Sequence, residues 1–155
     1  MYTPPGWRAA AIALLLVLLA GSGAPARAEW QLAGGLTDEI DGDQAPVATL
    51  GWLSAHRFPL ELVGGYIGPR RTRNQGVEET LFLGAALRWT GPWWFLGGGV
   101  AAVGETSEVL SSDWQFMTLA GVRGQRLVLT LRHLSNAGTG GRNRGETFLT
   151  AGWAW

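Results

Sequence analysis

Hydrophobic and polar residues alternate along most of the chain after residue 28, and this period of two is typical of β-strands with two different faces. Glycines interrupt nearly every apolar segment, so a helical period of 3.6 residues is not sustained. The alternation predicts eight strands, at residues 30–36, 47–53, 60–67, 80–89, 93–103, 114–122, 126–135 and 146–155. We number these predicted strands one to eight.

The connections between the predicted strands are long and short in turn. Those after strands one, three, five and seven are long and polar, at residues 37–46, 68–79, 104–113 and 136–145. Those after strands two, four and six are short, at residues 54–59, 90–92 and 123–125. An even number of antiparallel strands with tight turns at one end is typical of outer-membrane barrels. We therefore predict an all-β fold, an eight-stranded antiparallel transmembrane β-barrel whose termini and short turns face the periplasm.

The two faces of the predicted strands differ as a bilayer requires. In strand seven, Leu127, Leu129 and Leu131 share one face, whereas Thr130 and Arg132 lie on the other. An apolar outer face and an inner face of small residues with occasional charges fit lipid outside and a packed lumen inside. Seven tryptophans lie near predicted strand ends, as in an interfacial girdle: Trp30, Trp52, Trp89, Trp93, Trp94, Trp153 and Trp155. The alternative is a soluble, secreted β-sandwich or lipocalin-like barrel that binds a small apolar ligand.

The first 28 residues have the pattern of a secretory signal peptide. Arg8 gives a positive start, residues 9–21 form an apolar run, and Ala26-Arg27-Ala28 is a small-x-small cleavage signal. The run is shorter than the roughly 20 apolar residues that a membrane-spanning helix needs. Its removal leaves residues 29–155 as one exported domain.

Composition narrows the chemistry that this domain can perform. The chain has no cysteine, which excludes disulfides, thiolate zinc sites and a cysteine nucleophile. Its formal net charge is zero, and its 12 basic residues are all arginines spread along the chain. The sequence therefore lacks the clustered basic patch that is typical of nucleic-acid binding. The acidic stretch that contains Asp38, Asp41 and Asp43 lacks the full spacing of a calcium loop and is predicted to be solvated. Two histidines do not favour a histidine-rich metal site, and any hydrolytic chemistry must use serine, histidine or carboxylates.

One pair of side chains could carry such chemistry. His133 and Ser135 are two residues apart near the end of strand seven, on the face of the strand's leucines, so both should point into lipid. An imidazole in hydrocarbon costs free energy unless it is partnered, so its position suggests a function. A serine hydroxyl needs a neighbouring base, and that base needs a third group to fix its tautomer.

A third group and two oxyanion donors follow from the hairpin between strands seven and eight. Glu146 is the only acid after Asp113, and antiparallel pairing should bring it back towards His133. The prediction is a Ser135–His133–Glu146 triad, with Asn136 and the backbone N–H of Gly138 as oxyanion donors. Counting back from Trp155, however, puts Glu146 on the inward face. A bulge near the loop, or a position of Glu146 beyond the regular strand, would bring its carboxylate to His133 and restore the triad. Otherwise His133 and Ser135 remain as a dyad.

The run His133-Leu134-Ser135-Asn136 resembles the His-x-Ser-Asn motif that ends the penultimate strand in lipid A 3-O-deacylases of the PagL type. Glu146, at the start of the last strand, resembles that family's third catalytic residue. The resemblance implies an eight-stranded outer-membrane barrel with its triad on the lipid-facing surface. It also implies hydrolysis of the ester-linked acyl chain at the 3-position of lipid A, without metal or cofactor, in the outer leaflet of the bacterial outer membrane.

Arginines in the long loops are candidates for contacts with the substrate. Arg142 and Arg144 in the last loop, with Arg70, Arg71 and Arg73 in the second, could bind the phosphates of lipid A bidentately. Ordinary solvation of the loops is the alternative. The main competing function is a non-enzymatic small barrel with a structural or adhesive role, and the sequence leaves open whether the barrel forms a homodimer.

Overall fold

The computed structural model describes residues 28–40, 42–139 and 144–155, and this part of the chain forms ten strands. The predicted signal peptide, apart from Ala28, lies outside the described residues. The strands are β1 (Glu29–Thr37), β2 (Pro46–Leu53), β3 (Leu60–Ile67), β4 (Arg70–Arg71), β5 (Gly76–Val77), β6 (Thr80–Thr90), β7 (Trp94–Val103), β8 (Trp114–Arg123), β9 (Leu127–Ser135) and β10 (Glu146–Ala154). No helix of the described chain has the length and apolar character that crossing a membrane would need.

Eight of these strands close into an antiparallel barrel in the order β1-β10-β9-β8-β7-β6-β3-β2. Closure occurs where β1 pairs with β10, from Gln31 opposite Ala154 to Thr37 opposite Phe148. The predicted all-β, eight-stranded barrel is confirmed, and each predicted strand boundary lies within one residue of the observed one. The remaining strands, β4 and β5, form a small hairpin in the long loop between β3 and β6. They were not predicted, because two-residue strands are too short to show a period.

The outer face of the barrel is apolar. Leu81, Leu83 and Leu87 on β6 are 65%, 64% and 60% exposed, whereas Phe82 and Arg88 on the same strand are buried in the lumen. An exposed apolar surface of this extent is typical of contact with lipid and not with water. Most exposed tryptophans lie at the short-turn end, at Trp30, Trp89, Trp93, Trp153 and Trp155, while Trp114 is exposed at the long-loop end. This placement fits the predicted girdle.

The lumen is filled by side chains around a buried carboxylate. Glu61 lies 2.8 Å from Arg88 and 2.5 Å from Arg132, and all three side chains are almost fully buried. The Arg88 guanidinium also stacks over Phe95, 4.3 Å from the ring centroid. Buried charges persist only when they are paired, and here two cations enclose one anion. Because side chains fill the lumen around Glu61, the outer surface and the loops are the places where a site can form.

Candidate active site on the outer face of the barrel

His133 and Ser135 end β9 on the outer face of the barrel. Leu127, Leu129 and Leu131 precede them on that face and are exposed, while His133 and Ser135 are half-buried beside the loop at residues 136–145. The shared face follows from the period of two in a strand. The structure therefore places the two side chains on one face at the long-loop end of the barrel, next to the apolar band.

His133 lies between two threonines of the neighbouring strands. The register places Thr147 of β10 opposite it on one side and Thr118 of β8 on the other. Nδ1 of His133 is 2.9 Å from Oγ1 of Thr147. When Nδ1 carries the proton and donates it to this hydroxyl, Nε2 keeps the lone pair that a general base needs.

Ser135 leads directly into a strained turn. Ala137 and Gly138 both have positive φ, 52° and 78°, and the N–H of Thr139 donates to the carbonyl of Asn136 at 3.0 Å, which is a type I′ geometry. A left-handed conformation costs a non-glycine residue about 1–2 kcal/mol. The N–H of Ala137 donates to Oγ of Ser135 at 3.1 Å, so the turn holds the serine hydroxyl beside the backbone.

Asn136 is buried and braces this turn. Its Nδ2 donates to Oγ of Ser111, in the loop between β7 and β8, at 2.8 Å, and its Oδ1 accepts from the N–H of Gly138 at 2.9 Å. Nδ2 of Asn136 thus links two loops, while the N–H of Gly138 bonds within its own turn. Both residues shape the turn that presents Ser135, and their role as oxyanion donors stays a prediction.

Glu146 lies in the lumen and not beside His133. It is the first residue of β10, paired opposite Leu134 in a register that continues without a bulge, so its side chain points inward. Its Oε2 lies 2.9 Å from Nη2 of Arg70, and both side chains are almost fully buried. The structure therefore does not bring Glu146 to His133, and the Ser135–His133–Glu146 triad stays a prediction. The period of two puts Thr147, the next residue, on the outer face in its place.

The same ion pair engages Arg70, one of the arginines considered for substrate contacts. Its guanidinium also donates from Nη1 to Oγ1 of Thr37 at 3.1 Å, which holds it inside the barrel mouth. Arg144 is half-buried just before β10, in the loop that adjoins His133. Arg142 and Asp41 lie outside the described residues. Among the described residues, no group of three or more His, Asp or Glu side chains could hold a metal ion.

Two residues near His133 were missed by the sequence reasoning. Counting back from Trp155 puts Glu146 on the inward face, and the same count puts Thr147 on the outward face. A threonine there gave no reason to expect a contact with His133. Gly145 has φ of 72°, and a Cβ atom there would lie 2.6 Å from Cε1 and 2.9 Å from Nε2 of His133. Gly145 follows several other glycines in the same loop, so the sequence alone does not single it out as a neighbour of His133.

An apolar groove runs along the outer face beside the two polar residues. It has a volume of about 420 Å³, and Thr147 lies at its edge. Leu129, Leu131, Leu149 and Ala151 line it towards the middle of the barrel. A hydrocarbon chain lying along these strands would therefore pass next to the partner of His133.

Comparisons with known proteins agree with the barrel fold. A family model described as Lipid A 3-O-deacylase (PagL) matches residues 27–155, which include every strand of the barrel. A solved structure described as "Crystal structure of the outer membrane enzyme PagL" has a similar fold, with a TM-score of 0.53 and 19% sequence identity. The match covers 81% of this chain and 97% of that one. A search of curated proteins found no match.

Proposed function

Since the chain belongs to the lipid A 3-O-deacylase (PagL) family, we propose that it hydrolyses the ester-linked acyl chain at the 3-position of lipid A, with Ser135 as nucleophile and His133 as general base. The family membership makes it an outer-membrane ester hydrolase whose substrate class is lipid A. The observation that supports the two residues is their shared position on the lipid-facing surface. A membrane lipid can meet a nucleophile there without leaving the bilayer.

In the first half of the proposed reaction, Oγ of Ser135 attacks the ester carbonyl carbon and its proton passes to Nε2 of His133. The carbonyl oxygen takes up the negative charge of the tetrahedral intermediate. When that intermediate collapses, the bond from the acyl carbon to the sugar oxygen breaks, and His133 returns the proton to that oxygen. The deacylated sugar hydroxyl leaves, and the acyl chain stays esterified to Ser135.

In the second half, a water molecule attacks the acyl-serine carbonyl while His133 accepts one of its protons. Collapse of this intermediate breaks the bond to Oγ of Ser135, and the proton on His133 returns to that oxygen. The products are a free fatty acid and the restored serine. Both halves use the same imidazole first as base and then as acid.

The surroundings of the pair suit this substrate. The apolar groove beside Thr147 offers space for an acyl chain along the strands, and the loop that contains Arg144 offers positive charge beside it. We place the long loops outside the cell, so that the ester is attacked in the outer leaflet, where lipopolysaccharide is found.

The test is the release of fatty acid from purified lipid A by the full chain in detergent. We expect wild type to release acyl chains, and Ser135→Ala and His133→Ala each to lower kcat at least about a thousandfold, because nucleophile and base act as one unit. His56→Ala is the matched control, because it removes the other histidine, an exposed residue in a short turn at the opposite end. Unchanged release by Ser135→Ala would overturn the mechanism. A wild type that is folded and inactive would favour the non-enzymatic barrel.

A further inference from the structure

We propose that Thr147 is the positioning residue of this site, which orients the imidazole of His133 through Nδ1. The inference rests on the proposed function, because it assigns a role in the same reaction. Hydrolases with a Ser-His pair usually orient the imidazole with a carboxylate. Here the described side chain that contacts Nδ1 is a neutral hydroxyl, 2.9 Å away.

The register makes this contact a fixed property of the sheet. His133 and Thr147 are directly opposite each other on β9 and β10, and both face outward. The side chains of directly opposite residues lie within reach of each other, and the branched Cβ of threonine restricts where its hydroxyl points. With the hydroxyl accepting from Nδ1–H, the basic lone pair is held on Nε2.

Glu146 cannot take over this role within the observed fold. To bring its carboxylate to the outer face, β10 would have to slip by one residue against β9. The slip would turn the buried side chains of Phe148 and Thr150 into lipid and would break the ion pair with Arg70. A neutral group therefore orients the base, and it does so without a full negative charge to stabilise the imidazolium.

The imidazole is confined from a second direction by Gly145. The backbone of that residue approaches so closely that a Cβ atom would overlap the ring, and its N–H donates to the carbonyl of Val109 at 3.2 Å. Thr147 thus holds Nδ1, while Gly145 limits the rotation of the ring. Together they give His133 one orientation on a surface where lipid would otherwise be its neighbour.

The experiment compares two threonines that flank the same histidine. Thr147→Val keeps the shape of the side chain and removes the hydroxyl; we expect kcat to fall about tenfold, the effect of one lost hydrogen bond in the transition state, with KM unchanged. Thr147→Ser restores the hydroxyl and should keep most of the activity. Thr118→Val is the control, because the hydroxyl of Thr118 makes no hydrogen bond to the described residues, and its kcat should equal that of wild type.

A pH profile separates positioning from a merely structural role. In Thr147→Glu a carboxylate would lie at Nδ1 and favour the protonated imidazole, so the acid limb of kcat/KM should move to higher pH. Its kcat should exceed that of Thr147→Val. An acid limb that stays where it is would show that the side chain at position 147 does not contact the imidazole.

The outcomes distinguish this inference from the proposed function. Wild-type kcat in Thr147→Val, or an unmoved acid limb in Thr147→Glu, would overturn the role of Thr147 while an inactive Ser135→Ala still supported the mechanism. Activity in Ser135→Ala would overturn the mechanism itself. If circular dichroism showed that Thr147→Val did not fold, the Ser and Glu variants would decide the question.

Discussion

His133 owes its orientation to two neighbours with different chemistry. Thr147 engages Nδ1 through a hydrogen bond, and Gly145 leaves just enough room for the ring because it has no side chain. A positive φ alone is not unusual in this loop, since Gly138 has one too. What distinguishes Gly145 is the close approach of its backbone to the imidazole.

Gly145→Ala should therefore impair catalysis more than Gly138→Ala does. Both substitutions place alanine at a left-handed φ, which costs about 1–2 kcal/mol. Only at position 145 would the new methyl group meet His133; at position 138 nothing lies within 4 Å. We expect kcat to fall about a hundredfold for Gly145→Ala, as for a small misplacement of a catalytic group, and to stay near wild type for Gly138→Ala. Equal effects in a fatty-acid release assay would show that strain, not the ring contact, matters.

At the scale of elements, a buried ion pair joins the last strand to the hairpin in the second long loop. Glu146 begins β10 and Arg70 lies in β4, and their contact inside the barrel mouth links regions 76 residues apart. The same β10 carries Thr147 on its opposite face. The strand thus has a structural residue facing the lumen and a positioning residue facing lipid, one after the other.

Glu146→Gln should test whether this carboxylate is structural. Removing one charge of a buried pair leaves the other uncompensated and costs about 3–5 kcal/mol of folding free energy. We expect Glu146→Gln and Arg70→Met to lower stability by similar amounts in urea unfolding, and the folded protein to keep its kcat. A Glu146→Gln variant with wild-type stability and no activity would restore Glu146 to the catalytic triad.

The strands could be predicted from the sequence because each has an apolar and a polar face, as Leu131 and Arg132 show. The surroundings of His133 could not, because antiparallel pairing brings both Glu146 and Thr147 back towards it, and only the parity of β10 decides which of the two faces outward. Thr147 itself looks like any threonine in a strand. The bond between Ser111 and Asn136 joins two loops, and no local pattern encodes such a contact.

At the scale of the whole molecule, the barrel has an apolar exterior and a lumen in which apolar side chains pack around an ion-paired cluster. Leucines are exposed along the outer surface, whereas Glu61, Arg88 and Arg132 are buried together inside. An apolar exterior around buried charges matches a barrel whose solvent is lipid. The site at the end of β9 then lies where the apolar band meets the long loops.

The cost of a charge on the outer face should depend on its depth. Leu83→Arg, in the interior of β6, should cost about 2–4 kcal/mol of folding free energy in a bilayer, whereas Leu127→Arg, at the short-turn end, should cost about 0–1 kcal/mol. Urea unfolding in lipid vesicles measures both. Equal costs for the two variants would contradict the transmembrane placement of the barrel.

The most direct test of the central claim is mass spectrometry of lipid A from cells that express the full chain. Wild type should remove one hydroxyacyl chain from lipid A, and cells that express Ser135→Ala at the same level in the outer membrane should keep it. Lipid A of unchanged mass in wild type, or the same loss of mass with Ser135→Ala, would contradict the account.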